Sequence, residues 1–367
     1  MKIVIFHPPL YPVNHDFFNE LGKKAELIVY CIGEYPVLHE NWHVAKFSEN
    51  AINYKIKSFG KNTVNFFDKF NPKLFFELIK DQPDIVLSVA FWFPSLFCSL
   101  FKRFFGFKFL IITDAIYETD KHVTGVKLFL RKLVCSNSHG VICGSKLTES
   151  YIQYLSKYTQ IYSSIQTIDV SKWKVTLDML SDNTCLRKEL GLPTDKVILL
   201  SVGGFLKIKN WGVVFKQMNI LDNYHYVLIG DGELKKEYQG YVNENELSDK
   251  VSIIARQEGE NLIKYFKSSD IFVFPSLGDT FGFVVSEAMA ASLPVIVTFS
   301  CGASSLVKDG VNGYVVEANG FFVEELELIR KNLPIMSQNA NATIKKYTLK
   351  NKADEYVRII KRVQMKR

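Results

Sequence analysis

The chain is laid out as two passes of one pattern. Short apolar stretches bounded by turn residues, KIVIF, ELIVYCI, DIVLSVA, KFLIIT and HGVICG, alternate with helix-length amphipathic segments in its first part. After a polar stretch the pattern restarts with VILLSVGG, HYVLIGDG, KVSIIA, DIFVFPS and PVIVT. Strands that read as unbroken apolar runs are covered on both faces, as parallel strands in βαβ units are. The length, 367 residues, exceeds what one core ordinarily serves. The expected fold is therefore α/β, with two Rossmann-like, doubly wound domains. Their expected bounds are residues 1–166 and 196–345, with a linker over 167–195 and a C-terminal helix over 346–367. Such domains bind ligands at the carboxyl ends of their strands, which predicts a central cleft between the two.

Composition narrows the class. Hydrophobic residues at 47% and charged residues at 23% exclude a disordered or low-complexity chain. The formal charge of +7 is compatible with anionic ligands, acidic lipid or nucleic acid, and by itself selects none of them. Cysteines at 31, 98, 135, 143, 185 and 301 form no C-x-x-C pair and no metal spacing with the histidines, as expected of reduced thiols in the cytoplasm. The start, MKIVIFHPPLYP, reads as a first strand and not as a signal peptide. The most apolar stretch, 90–113, is interrupted by Lys102, Arg103 and Lys108 and falls short of a membrane span.

Polar residues gather after the strands of the second domain. Gly203, Gly204 and Lys209 follow one, GDGE follows the next, and PSLGDTFGFVVSEAMAASLPVIV follows DIFVF. GDGE lacks a third glycine and reads more readily as a tight strand-to-helix turn than as a phosphate loop. A loop lysine such as Lys209 is most often a solvated charge. Glu287 precedes an alanine-rich helix and is either a first-turn glutamate favoured by the helix dipole or a buried carboxylate in need of a partner. Phosphate recognition would use the same geometry, because the first N–H groups of the helix after DTFGFVVS are unpaired. Gly278 and Gly282 would let the backbone approach a ligand, Lys209 would neutralise phosphates, and Glu287 would accept hydrogen bonds from ribose hydroxyls.

SVGGFLKIKN, VLIGDGE, DKVSIIA, DIFVFPSLGDTFGFVVSEAMAASLPVI and VKDGVNGYVV, in that order, resemble the retaining glycosyltransferases of family 4. The resemblance covers residues 197–317 by motif and the first domain only by its strand–helix pattern. It implies the GT-B fold, a nucleotide-diphosphate-sugar donor held by the second domain, an acceptor held by the first, and neither metal nor other cofactor. Glu287 matches the second acid of the E-x7-E motif, which binds donor ribose, and Lys209 matches the diphosphate-binding lysine. Asp279 takes the place of the first glutamate, which contacts the donor sugar's hydroxyls, with Thr280, Phe281 and Gly282 supplying backbone contacts and Phe283 beside them in the donor site. Gly203 and Gly204 belong to the donor loop, and Arg256 lies near the base. Three departures stand out: Gly204 replaces the family's arginine, Ser305 replaces the glutamate of GGxxE, and HPPLYPVNHDFF lacks the amino-terminal glycine pair. The family's sugar-positioning histidine falls near Thr113 and Asp114, where Asp114, or His122 nearby, is the candidate substitute.

The resemblance implies transfer with retention, the leaving diphosphate helping to deprotonate the incoming hydroxyl, in polysaccharide or glycoconjugate synthesis. A nucleotide-sugar epimerase, or a degenerate nucleotide-binding member without turnover, is the alternative. Nucleic acid ranks last as a partner, for want of any recognised motif. Segments 55–80 and 101–109 interleave Lys and Arg with Phe, so either they pack the first domain or they meet an anionic membrane surface. The expected enzyme is cytoplasmic, associates peripherally with the inner membrane face, and takes a glycan or lipid-linked acceptor.

Overall fold

A computed structural model describes residues 1–8, 10, 12–32, 52–59 and 73–365. Chain contacts divide it into two units, residues 1–166 with 349–367, and residues 167–348.

The first unit is built on β1 (Lys2–His7), β2 (Glu26–Ile32), β3 (Lys55–Phe59), β4 (Ile85–Val89), β5 (Lys108–Thr113), β6 (Val141–Cys143) and β7 (Ile161–Ser163). All pair in parallel, in the order β3-β2-β1-β4-β5-β6-β7. Successive residues of β1 go to opposite faces of the sheet, as a pleated strand requires. Val4 and Phe6 join a core with α2 (Lys73–Asp81), α3 (Phe93–Phe105), α5 (Gly125–Ser136) and α6 (Lys146–Leu155), while α4 is the single turn Tyr117–Asp120. Ile3 and Ile5 join the core on the other face, with α1 (Pro12–Gly22) and the closing helix of the chain, Leu349–Met365. The terminal helix expected over 346–367 is this one, and it belongs to the first unit.

The second unit carries β8 (Val197–Val202), β9 (Tyr224–Ile229), β10 (Val251–Ile254), β11 (Ile271–Phe274), β12 (Val295–Thr298) and β13 (Gly313–Val316). They too are parallel, in the order β10-β9-β8-β11-β12-β13. The stretch 167–195, expected as a linker, is instead part of this unit. It forms α7 (Val170–Met179) and α8 (Asn183–Glu189), whose first N–H groups are capped by the carboxylates of Asp169 and Asp182. The remaining helices are α9 (Gly212–Met218), α10 (Lys235–Glu244), α11 (Gly259–Ser268), α12 (Phe283–Ala290), α13 (Val323–Lys331), α14 (Leu333–Ile344) and, in the first unit, α15 (Leu349–Met365).

In the second sheet the strand order reverses between β8 and β11, and in an open α/β sheet the crevice beyond such a reversal is where ligands bind. The loops that leave these two strands are 203–211 and 275–282, which hold most of the residues singled out in the sequence.

Candidate active site

The two loops are fastened to each other by backbone and side-chain bonds. Leu277 donates its N–H to the Ile208 carbonyl at 2.8 Å, and Ser276 Oγ donates to the same oxygen at 3.1 Å. Asn210, in the left-handed region at φ 58° that asparagine tolerates, donates Nδ2 to the carbonyls of Pro275 at 3.2 Å and Ala318 at 2.7 Å. The fully buried Trp211 donates Nε1 to the Gly204 carbonyl at 3.1 Å. These attachments bring Lys209 to Asp279, and the two form an ion pair with both side chains mostly enclosed. The Lys209 ammonium also lies 5.2 Å above the Phe274 ring, a cation–π contact that holds it at the end of β11.

Asp279 has its second oxygen occupied as well, because Oδ1 accepts from the Phe281 N–H at 3.2 Å. The Phe281 carbonyl accepts from the Ala303 N–H at 2.6 Å and from Cys301 Sγ at 3.0 Å. Phe281 is therefore a buried wedge whose N–H and carbonyl are both engaged within the fold. Thr280 is exposed, and Phe283 is half-buried with its ring 5.2 Å from that of Phe281. Gly282 stands at φ 88°, and a Cβ there would approach Cys301 Sγ to 2.9 Å, so only glycine fits the turn.

Gly282 is also the N-cap of α12, and no side chain caps that helix. The partial positive charge of its first N–H groups is left for an anion. Glu287 occupies the fifth position of α12, one turn beyond the first, so it is not the first-turn glutamate of the simpler reading. Burial pushes its carboxyl up to about 7, and no described residue offers it a hydrogen bond or an opposite charge. A half-buried carboxylate without a partner is costly unless a ligand supplies one.

Gly203, Gly204 and Arg256 line one pocket of about 290 Å³ with Gly230, Asp231 and Gln257, at the ends of β8, β9 and β10. The GDGE turn builds its wall. A Cβ on Gly230 would fall 2.0 Å from the Gly203 carbonyl and one on Gly232 2.8 Å from the Phe205 nitrogen, so both glycines let the two loops close on each other. Gly204 is different, since a Cβ there meets Leu206 carbons at 3.5 Å and the Asp231 carbonyl at 3.9 Å, both ordinary contacts. Arg256 is exposed and paired with Glu258 at 2.7 Å.

Asp114 belongs to the first unit, just past β5. Gln166 Nε2 donates to both of its oxygens, at 2.8 and 2.9 Å, and Lys352 of α15 donates to the Gln166 Oε1 in turn. Burial raises the Asp114 carboxyl and pushes the Lys352 amine down to about 8. His122 is exposed, and Ser305 sits in the short 3-10 helix Gly302–Leu306. Among the described residues no three His, Cys, Asp or Glu side chains stand close enough to hold a metal ion.

Asn210, Trp211 and Cys301 are the supporting residues that sequence reasoning missed. Only Asn210 left a signal, a small polar residue fit for positive φ directly after the loop lysine.

Residues 182–347, which contain every site residue of the second unit, match the model of the glycosyl transferases group 1. An uncharacterized glycosyltransferase of Methanocaldococcus jannaschii is 33% identical over 120 residues, 33% of this chain and 34% of that protein. The alpha-monoglucosyldiacylglycerol synthase of Acholeplasma laidlawii is 26% identical over 203 residues, 53% of this chain and 50% of that one. The matches thus span a third to a half of these relatives' lengths. Among solved structures, Anabaena HepE in complex with UDP superposes with a TM-score of 0.78 at 14% identity, over 99% of this chain and 100% of that one. A glycosyltransferase of Rickettsia africae does so with a TM-score of 0.78 at 16% identity, over 100% and 99%. The second unit is thus similar to the glycosyl transferases group 1 over residues 182–347, and the two parallel-sheet units share the GT-B fold of these structures.

Proposed function

We propose that the chain transfers a sugar from a nucleotide-diphosphate sugar to a hydroxyl of a glycan or lipid-linked acceptor. The transfer retains configuration at the anomeric carbon, needs no metal ion, and serves cell-surface polysaccharide or glycoconjugate assembly. One observation carries the reading: at the β8/β11 reversal a lysine–aspartate pair on fastened loops, an uncapped helix N-terminus and, on that helix, a half-buried glutamate without a partner stand together. Glu287 accepts from the ribose hydroxyls. The α12 N-terminus and Lys209 take the charge that grows on the leaving diphosphate, which is where preorganised donors speed such a reaction most. Asp279, as it yields Lys209 to the phosphates, turns to the sugar hydroxyls. The pocket of Gly203, Gly204 and Arg256 takes the base side, and Asp114 is the acceptor-side residue. A UDP-bound structural neighbour supports the donor class, and the Acholeplasma relative, named for a glucosylated diacylglycerol, supports an acceptor at a membrane. Among the described residues no helix is long and apolar enough to cross a bilayer, and we place the enzyme peripherally on the cytoplasmic face.

A thermal-shift panel of nucleoside diphosphates, followed by a product assay with the matching sugar donors, tests the reading. At least one diphosphate should raise the melting temperature, since a ligand of the native state stabilises it. No shift with any of them would sink the proposal. Turnover should survive a chelator, and complete, reversible loss would overturn the metal-free step. Binding without hydrolysis or transfer would favour a degenerate member, the reading that Gly204 and the missing histidine suggest.

A further inference from the structure

One face of the first unit presents apolar and basic side chains that no part of the proposed site uses. Helices α3 and α5 lie side by side on that face. On α3 the inward positions Pro94, Ser95, Cys98 and Ser99 are buried, while Leu100, Phe101 and Phe104 point out, Phe104 with 82% of its surface exposed. On α5, Val134 and Cys135 are buried and Val126 and Phe129 are 73% and 63% exposed. The segments that interleave Lys with Phe in the sequence thus divide. Phe107 and Phe109 go to the core, Phe101 and Phe104 to the surface, and residues 60–72 lie outside the described chain. Single exposed apolar residues are ordinary, but five on two adjoining helices form a patch.

The charge on these helices has one sign. Lys102 and Arg103 on α3 and Lys127, Arg131 and Lys132 on α5 face no acidic residue within either helix. Arg131 is spent on Asp120 and Tyr151, and Lys102 donates to the Asn137 carbonyl. Arg103, Lys127 and Lys132 form no ion pair with a described residue. Burial, together with Arg103 and Lys108, lowers the Lys102 amine, as expected where like charges crowd without an acid among them.

We infer that the outer face of α3 and α5 docks on an anionic lipid bilayer, the aromatic and aliphatic side chains entering the headgroup boundary and the bases meeting lipid phosphates. Apolar side chains between cations are what an interfacial surface requires. A second copy of the chain fits poorly, because a two-fold contact would set these cations against themselves. The inference deepens the membrane placement proposed above and rests on it for its purpose.

Co-sedimentation of the full chain with phosphatidylcholine vesicles, with or without about a third phosphatidylglycerol, at about 0.02 and 0.5 M salt, tests the surface. The protein should sediment with the anionic vesicles at low salt and be largely released at high salt. Phe104→Ser with Phe129→Ser should weaken binding at least about tenfold, and Arg103→Glu with Lys127→Glu should abolish it. Both variants should keep the thermal shift given by a nucleoside diphosphate, which separates this inference from the transferase reading. Loss of that shift in the unaltered protein, with vesicle binding intact, would count against the donor site alone. The docking surface falls if the protein ignores anionic vesicles at low salt or if both variants bind unchanged. It falls also if the chain self-associates without lipid and the phenylalanine variant alone disperses it, which would make the face an interface between copies.

Discussion

Lys209 and Asp279, 70 residues apart in sequence, neutralise each other at the point where the second sheet reverses its strand order. On the proposed function the pair would exchange partners when the donor binds, a diphosphate taking the ammonium and sugar hydroxyls the carboxylate. Lys209→Ala should therefore lower kcat more than donor affinity, by a factor of order 100, the usual loss when one charge-stabilising donor is removed. Combined with Asp279→Ala in a double-mutant cycle, the two effects should depart from additivity by about 1 to 3 kcal/mol, as contacting residues do. Initial rates under saturating donor give the comparison. Strict additivity would mean that the pair is a surface ion pair only.

The glycines of the pocket separate by what a methyl group would meet. Gly230→Ala places a carbon against the Gly203 carbonyl and should lower the melting temperature by several degrees, in line with overpacking costs of about 1 to 3 kcal/mol. Gly204→Arg has room, and its guanidinium should reach the diphosphate and tighten nucleoside diphosphate binding about tenfold, within the range of a charge-assisted bond. Calorimetric titration reads the second effect directly. An unchanged dissociation constant in a folded Gly204→Arg variant would show that the diphosphate does not pass this loop.

What the sequence makes legible follows burial. β1, β4, β5, β8, β9 and β11 are covered on both faces, and each announces itself as an unbroken apolar run. β3, KIKSF at the sheet edge, alternates lysines with apolar residues and reads as a solvated segment, and β7 has only three residues. The stretch 167–195 reads as a linker because α7 and α8 are polar on their outer sides, although Asp169 and Asp182 were available as cap signals. Lys209, Asp279 and Glu287 are legible because they follow strands directly. The supports are not, since Asn210 reaches Pro275 and Ala318 only in the folded unit. Glu287 shows the limit from the other side: its residue type and position were readable, and its isolation from every described partner was not.

Asp114 tests how far the first unit shares in the chemistry. Asp114→Ala leaves Gln166 Nε2 without its acceptor and the buried Lys352 amine without its nearby opposite charge, and should cost about 3 kcal/mol, the lower end for breaking a buried charged pair. Asp114→Asn keeps an acceptor for Gln166 and should retain most of the stability while still lowering kcat. Chemical denaturation and turnover are measured on the same preparations. Normal turnover in the folded asparagine variant would reduce Asp114 to a tie between β5 and α15.

Glu287 should make both stability and donor affinity depend on pH. In the empty protein its carboxyl sits at about 7 because burial disfavours the charge, whereas in the unfolded chain it titrates at the ordinary 4.5. Between these values the native state holds the proton more tightly than the unfolded state does. Its contribution to stability is therefore complete below about 4.5 and is lost as pH rises through about 7, by up to about 3 kcal/mol at 1.36 kcal/mol per unit. Glu287→Gln has no such proton and should melt at nearly the same temperature across that window. Donor affinity runs the other way, because the ribose hydroxyls need the ionised carboxylate as acceptor. Binding should weaken as pH falls below about 7 in the unaltered protein and stay weak and flat in Glu287→Gln. Paired melting curves and calorimetric titrations from pH 5 to about 8.5 decide it. A donor affinity that is independent of pH in both proteins would remove Glu287 from the ribose site.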